Sequence, residues 1–128
     1  MIDFNQDGYF YSRLHKVDNG TFGKAIDDFM IDGEEIIGSY QNIRDGVVFT
    51  NKRIIAINVQ GITGKKKDFT CIPYSKITTF SVETAGFFDF DAELDIYIAS
   101  VGKVRFEFTG STDVKMICKM ISNYALAI

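Results

Sequence analysis

The chain has 128 residues, 46% apolar and 24% charged, with twelve Phe, six Tyr, one Pro and no Trp. That length suits one domain, and that apolar content fills a core and excludes a disordered chain. A net charge of −3 excludes a general nucleic-acid binder, which needs surplus Lys and Arg to displace counterions, so no nucleic acid is expected as a partner.

Residues 1–7 carry no basic segment and no apolar run, so no signal peptide is read there. No stretch of about 18 apolar residues occurs, so no membrane-spanning helix is expected. The expected location is cytoplasmic. Cys71 and Cys118 lack metal-ligand spacing and read as buried thiols in a reducing compartment. Residues 1–20 form an extension of open structure. Within it Tyr9-Phe10-Tyr11 fits a short strand or, taken with Arg13, Leu14 and Lys16, a short helix. His15, the one histidine, lies here and reads as a surface residue.

Residues 21–128 read as one domain. Phe22, Ile26, Phe29 and Met30 recur at helical spacing and predict a helix over about 22–31, with Thr21 as cap and Gly33 as stop. Seven strands follow, over 35–42, 47–50, 53–59, 69–72, 77–83, 93–100 and 103–109. Thr50-Asn51-Lys52 reads as a tight turn, Gly61-Ile62-Thr63-Gly64 as a looser loop, and Pro73 as a strand end. In the last hairpin Leu94, Ile96 and Ile98 alternate inward, as do Val104, Phe106 and Phe108. Opposed residues must then have numbers summing to an even value. A three-residue loop Ser100-Val101-Gly102, with Gly102 left-handed, satisfies this; it places Tyr97 opposite Arg105 and Asp95 diagonal to it. After Gly110, Val114, Ile117, Cys118, Ile121, Tyr124 and Ala125 predict a C-terminal amphipathic helix that needs an apolar partner. A partly open barrel end provides one. The expected fold is therefore mainly β (α+β by count): a bent antiparallel barrel closed by this helix, with an additional N-terminal helix.

"GEEIIGSYQNIRDGVVFTNKRIIAI", "IPYSKITTFSVETAG" and "FDFDAEL" together resemble the bacterial pleckstrin-homology domain family over about 33–126. The resemblance implies a seven-stranded, strongly bent barrel capped by the last helix. It also implies a tendency to form cyclic homo-oligomers. It implies no enzyme activity and no cofactor.

Charge is unevenly distributed. Arg44, Lys52, Arg53, Lys65, Lys66 and Lys67 share one segment with Asp45 alone. Glu83, Asp89, Asp91, Glu93 and Asp95 share another that holds no Lys or Arg. If the two lie on different flanks, the basic flank of one copy complements the acidic flank of the next. The candidate interaction patches are Lys65, Lys66, Lys67, Lys52 and Arg53 (basic), Asp89, Asp91, Glu93 and Asp95 (acidic), and Phe87 and Phe88 (apolar). The two adjacent Phe point to opposite strand faces, so one reaches an interface. The alternative is an anionic membrane surface contacted through the lysine loop and the aromatic and basic residues 9–16. A third reading has the lysines only solvating a loop and blunting a strand edge.

Sharper chemistry fails on spacing. Gly64-Lys65 lacks the flanking Gly and Ser/Thr of a phosphate loop, with Val59 and Lys66 in those places. The loop 41–46 offers only Arg44, too few cations for a specific phosphoinositide headgroup. Leu94 and Ser100 stand where a calcium loop needs Gly and Glu. No serine sits in a nucleophile elbow. No catalytic residue, metal or cofactor is therefore assigned.

Overall fold

The structure is a computed structural model that describes residues 1–4, 10–84, 91–110 and 114–126. Its strands are β1 (Phe10–Val17), β2 (Ile36–Gln41), β3 (Gly46–Thr50), β4 (Arg53–Gln60), β5 (Lys66–Pro73), β6 (Thr79–Thr84), β7 (Ala92–Ile98) and β8 (Gly102–Phe108). Helix α1 (Gly20–Ile26) continues as a 3-10 turn, Asp27–Phe29; a second such turn, Tyr74–Lys76, precedes β6; and α2 (Val114–Ala125) ends the order. The strands form one curled sheet in the order β5-β4-β3-β2-β1-β8-β7-β6.

The seven expected strands are β2 to β8, and the eighth, β1, comes from the segment left open between strand and helix. It pairs antiparallel with β2 and parallel with β8, joining the two halves of the sheet. The ambiguity has a physical cause. Tyr11 and Leu14, three residues apart, are both buried in the core, which mimics a helical period. The strand achieves this by a register shift between them, where Arg13 adopts φ +56°.

Two apolar clusters follow. The interior holds Leu14, Tyr40, Phe49, Ile54, Leu94, Ile96, Phe106 and Phe108, closed by Ile117 and Ile121 of α2. A second cluster of Phe22, Ile26, Val48, Ile55 and Ile57 lies where α1 covers the outer face of β3 and β4. Those strands are therefore buried on both faces, which accounts for their unbroken apolar runs. Each such side chain contributes about 1.5–3 kcal/mol on burial. Gly46 marks the closest approach: a Cβ there would lie 2.3 Å from Phe22 Cζ and 2.9 Å from the Tyr40 carbonyl.

Several local expectations are corrected. The α-helix stops at Ile26 rather than near Ile31, and the chain is extended by Met30. Asp18, not Thr21, organises its start: its carboxylate accepts from the Gly20 amide at 2.7 Å and its carbonyl from the Thr21 amide at 2.9 Å. Strand β5 begins at Lys66, so Lys66 and Lys67 belong to a strand, opposite Gln60 and Val59. In the last hairpin the parity holds but the register is shifted by two. Asp95 faces Arg105 and Tyr97 faces Lys103. The turn closes with the Val101 amide donating to the Ile98 carbonyl at 3.0 Å, and Ser100 takes φ +66°. Gly102 does lie at positive φ, +139°, and it is needed for a second reason: a Cβ there would lie 2.3 Å from the Phe4 carbonyl oxygen. Cys71 is exposed on β5 and Cys118 partly exposed on α2, so neither is a buried thiol. Among the described residues no helix is long and apolar enough to cross a membrane.

Candidate interaction surfaces

The basic residues divide between the two ends of β4. Lys52 and Arg53 stand at its start, while Arg44 and Lys65–Lys67 lie toward or beyond its other end. Eight residues of strand separate the groups by roughly 26 Å. Arg53 is turned inward. Its Nε donates to Glu34 Oε2 at 2.9 Å, and its Nη2 donates to Glu34 Oε1 and to the Phe29 carbonyl, both at 2.7 Å. Its guanidinium carbon lies 5.8 Å from the Phe29 ring centroid. The Glu34 side chain is fully buried, and its carboxylate also accepts from Thr50 Oγ1 at 2.7 Å and from the Ile31 amide at 3.1 Å. Burial pushes this carboxyl up, but the hydrogen bonds from Arg53, Thr50 and Ile31 and the Arg53 charge outweigh it and hold the group at about 2. The same contact with Glu34 raises Arg53 above its ordinary value. Tyr74 extends the network, its hydroxyl donating to the Thr50 carbonyl at 2.7 Å while its ring stacks on Tyr124 at 5.3 Å. This cluster ties the β2 approach to the β3–β4 turn.

Lys65, Lys66 and Lys67 are exposed, at the beginning of edge strand β5. The described residues of the acidic patch lie on or just before β7, which is separated from β5 by five strands in the order of the sheet. Among the described residues no ion pair joins the two groups. The acidic set is partly compensated from β8. Arg105 grips Asp95 with two bonds of 2.8 and 3.1 Å and reaches Glu93 at 3.4 Å. The bonds from Arg105 to Asp95 raise the guanidinium above its ordinary value. Asp91 accepts from Thr109 Oγ1 at 2.9 Å. A cleft of about 370 Å³ is lined by Asp91, Glu93 and Glu107 together with Arg13. Phe87, Phe88 and Asp89 lie outside the described residues.

Two features matter that the sequence reading passed over. Glu34 gave no signal, since a carboxylate buried by tertiary contacts looks like any surface Glu. Ile43 and Ile62 stand 95% and 105% exposed at loop tips. Ile62 sits in a Gly-x-x-Gly loop, which was a usable hint.

The model of the bacterial PH domain family matches residues 10–125, beginning well before the resemblance read from the motifs. The uncharacterized protein YozO of Bacillus subtilis is 30% identical over 111 residues, 87% of this chain and 96% of that protein. The uncharacterized protein YjqA of the same organism is 51% identical over 70 residues, 55% of this chain and 56% of YjqA, so the chain spans about half of that relative. A crystal structure of a DUF1696 family protein with a pleckstrin-homology domain, from Shewanella loihica, superposes with TM-score 0.76 at 40% identity. That superposition covers 90% of this chain and 99% of the other.

Proposed function

This chain belongs to the bacterial PH domain family, and from that premise we propose that it is a non-catalytic, cytoplasmic binding module that self-associates into a homo-oligomer and presents a protein-binding surface. The observation that carries the reading is the unclosed sheet. Strands β5 and β6 stand at opposite ends of the strand order, and neither has a second strand partner among the described residues. Strand β5 begins with exposed Lys66 and Lys67, while β6 ends in exposed Glu83 and Thr84 beside the carboxylates of β7. An open strand edge presents unpaired backbone donors and acceptors. Docking β5 of one copy on β6 of the next satisfies them and brings opposite charges together. Such a contact is head-to-tail, and it closes into a ring when the rotation permits. Charge steers and registers it; apolar burial has to hold it.

Size-exclusion chromatography with light scattering at low and high salt tests this. A defined multimer is expected. Lys66→Glu with Lys67→Glu should dissociate it, and adding Glu83→Lys should restore part of the assembly. A monomer under every condition removes the proposal.

A further inference from the structure

We propose that the slot between the inner face of β5 and the β7–β8 turn is a binding site for an extended peptide segment of a partner protein, and that the chain's own residues 1–4 occupy it until such a segment displaces them. The partner segment carries an aliphatic side chain and, two residues on, an aromatic one. The inference rests on the protein-binding part of the reading above and not on self-association.

Residues 1–4 belong to no strand, yet they complete the core. On β5, Thr70 and Ile72 are buried while Cys71 and Pro73 are exposed. The Ile2 amide donates to Thr70 Oγ1 at 3.0 Å, and the Met1 ammonium pairs with Asp68, two residues earlier on the same strand face. Across the slot the Phe4 carbonyl lies over Gly102, where it leaves no room for a Cβ. The segment therefore spans from β5 to the turn of β7 and β8, elements that share no backbone ladder. Burial alternates along it, as in an extended chain. Ile2 is 4% exposed and joins the interior cluster, Phe4 packs against that cluster, and Met1 and Asp3 are exposed. An occupant held by a backbone amide and by two side chains at i and i+2 defines what the slot recognises: a peptide, through its backbone and one edge of its side chains.

The fit is incomplete. A cleft of about 210 Å³ remains between Phe4 and a wall that includes Ile72, Pro73, Ile98 and Val101. A second, of about 470 Å³, lies between residues 1–4 and the turn residues Ser100 and Val101. A partner segment with a further apolar side chain covers that wall and gains burial that the internal segment lacks. The internal segment has the opposing advantage of its tether, which gives it a high effective concentration. A ligand from another protein meets only the fraction of molecules whose slot is open, and its apparent affinity falls by that fraction. Residues 1–4 thus set a threshold that poorly matched segments do not cross.

A fluorescein-labelled peptide with the sequence of residues 1–6, MIDFNQ, is the probe, read by fluorescence anisotropy. Ile2→Ser with Phe4→Ser removes both anchors of the internal segment and should bind the peptide at least about tenfold more tightly than wild type. Adding Val101→Asp, at an exposed turn position, should abolish that binding. A peptide with serine at its second and fourth positions should bind neither protein. In wild type, an excess of unlabelled MIDFNQ peptide should speed amide exchange at Ile2 as residues 1–4 leave Thr70. Any one of five results overturns the proposal: no binding by the folded double serine variant, equal binding by that variant and wild type, binding that survives Val101→Asp, unaltered Ile2 exchange in excess peptide, or a wild-type multimer that the double serine variant loses. The last would make residues 1–4 a contact with a second copy. A wild type that is monomeric and binds as expected supports the slot and removes self-association alone.

Discussion

Replacing Glu34 with Gln keeps the shape of a fully buried side chain but leaves the Arg53 guanidinium, 19% exposed, without its counter-charge. Arg53 would keep its bond to the Phe29 carbonyl, while Thr50 Oγ1 and the Ile31 amide would share a weaker acceptor. Breaking a buried pair from one side costs about 3–5 kcal/mol. The residual exposure of Arg53 places this case near the lower bound. Proton linkage gives a second estimate. Glu34 is lowered from 4.5 to about 2, which corresponds to about 3 kcal/mol at neutral pH. The sign follows from the depression: the contribution is complete above pH 4.5 and is lost as pH falls toward 2. Urea unfolding of wild type and Glu34→Gln should differ by about 3 kcal/mol at pH 7, and the difference should close between pH 4.5 and 2. A difference below about 1 kcal/mol at pH 7, or one that persists at about pH 2, would refute the assignment of this carboxylate. Converting Arg53 to Met in the Glu34→Gln background should recover part of the loss, because the unpaired cation disappears.

Gly46→Ala should destabilise by about 2–3 kcal/mol in urea, because its Cβ would meet both Phe22 and the Tyr40 carbonyl; a neutral change would mean α1 does not pack on that glycine. Gly102→Ala should displace residues 1–4, since its Cβ would overlap the Phe4 carbonyl. Faster amide exchange at Ile2, whose amide donates to Thr70 Oγ1 at 3.0 Å, reads this, and unaltered exchange contradicts it. Tyr74→Phe should cost about 1–2 kcal/mol by depriving the Thr50 carbonyl of its donor, an effect visible in the unfolding midpoint. Asp95→Asn should cost under about 1 kcal/mol, because Arg105 in this pair is a third exposed; a loss above about 2 kcal/mol would mark the pair as buried in an assembly.

The strands were legible where alternation and turn residues agree. Val104, Phe106 and Phe108 fixed which face of β8 is inward, and that face is inward. Their parity left registers two residues apart equally acceptable, and the choice fell to Ser100, a non-glycine residue in left-handed backbone. Strand β1 hid its character because its bulge puts Tyr11 and Leu14 on one face at a helix-like interval. The charge runs were visible as composition, but not their distribution. Lys52 and Arg53 sit at one end of β4 and Lys65 beyond the other, and Arg53 is spent on Glu34. Pairings between residues distant in sequence leave no local trace, so Glu34 with Arg53, and Ile2 with Thr70, required coordinates.

The placement of β1 sets an order of events during synthesis. Leu14 rests beside Phe108 in parallel alignment, although six other strands separate the two in the chain. A nascent chain therefore makes this strand before all the others and cannot dock it against β8 until β8 has emerged. Until then its apolar side chains wait, and the two halves of the molecule have no shared seam. Slow maturation, and susceptibility to capture by another strand in the interval, follow from a seam whose two sides are translated so far apart.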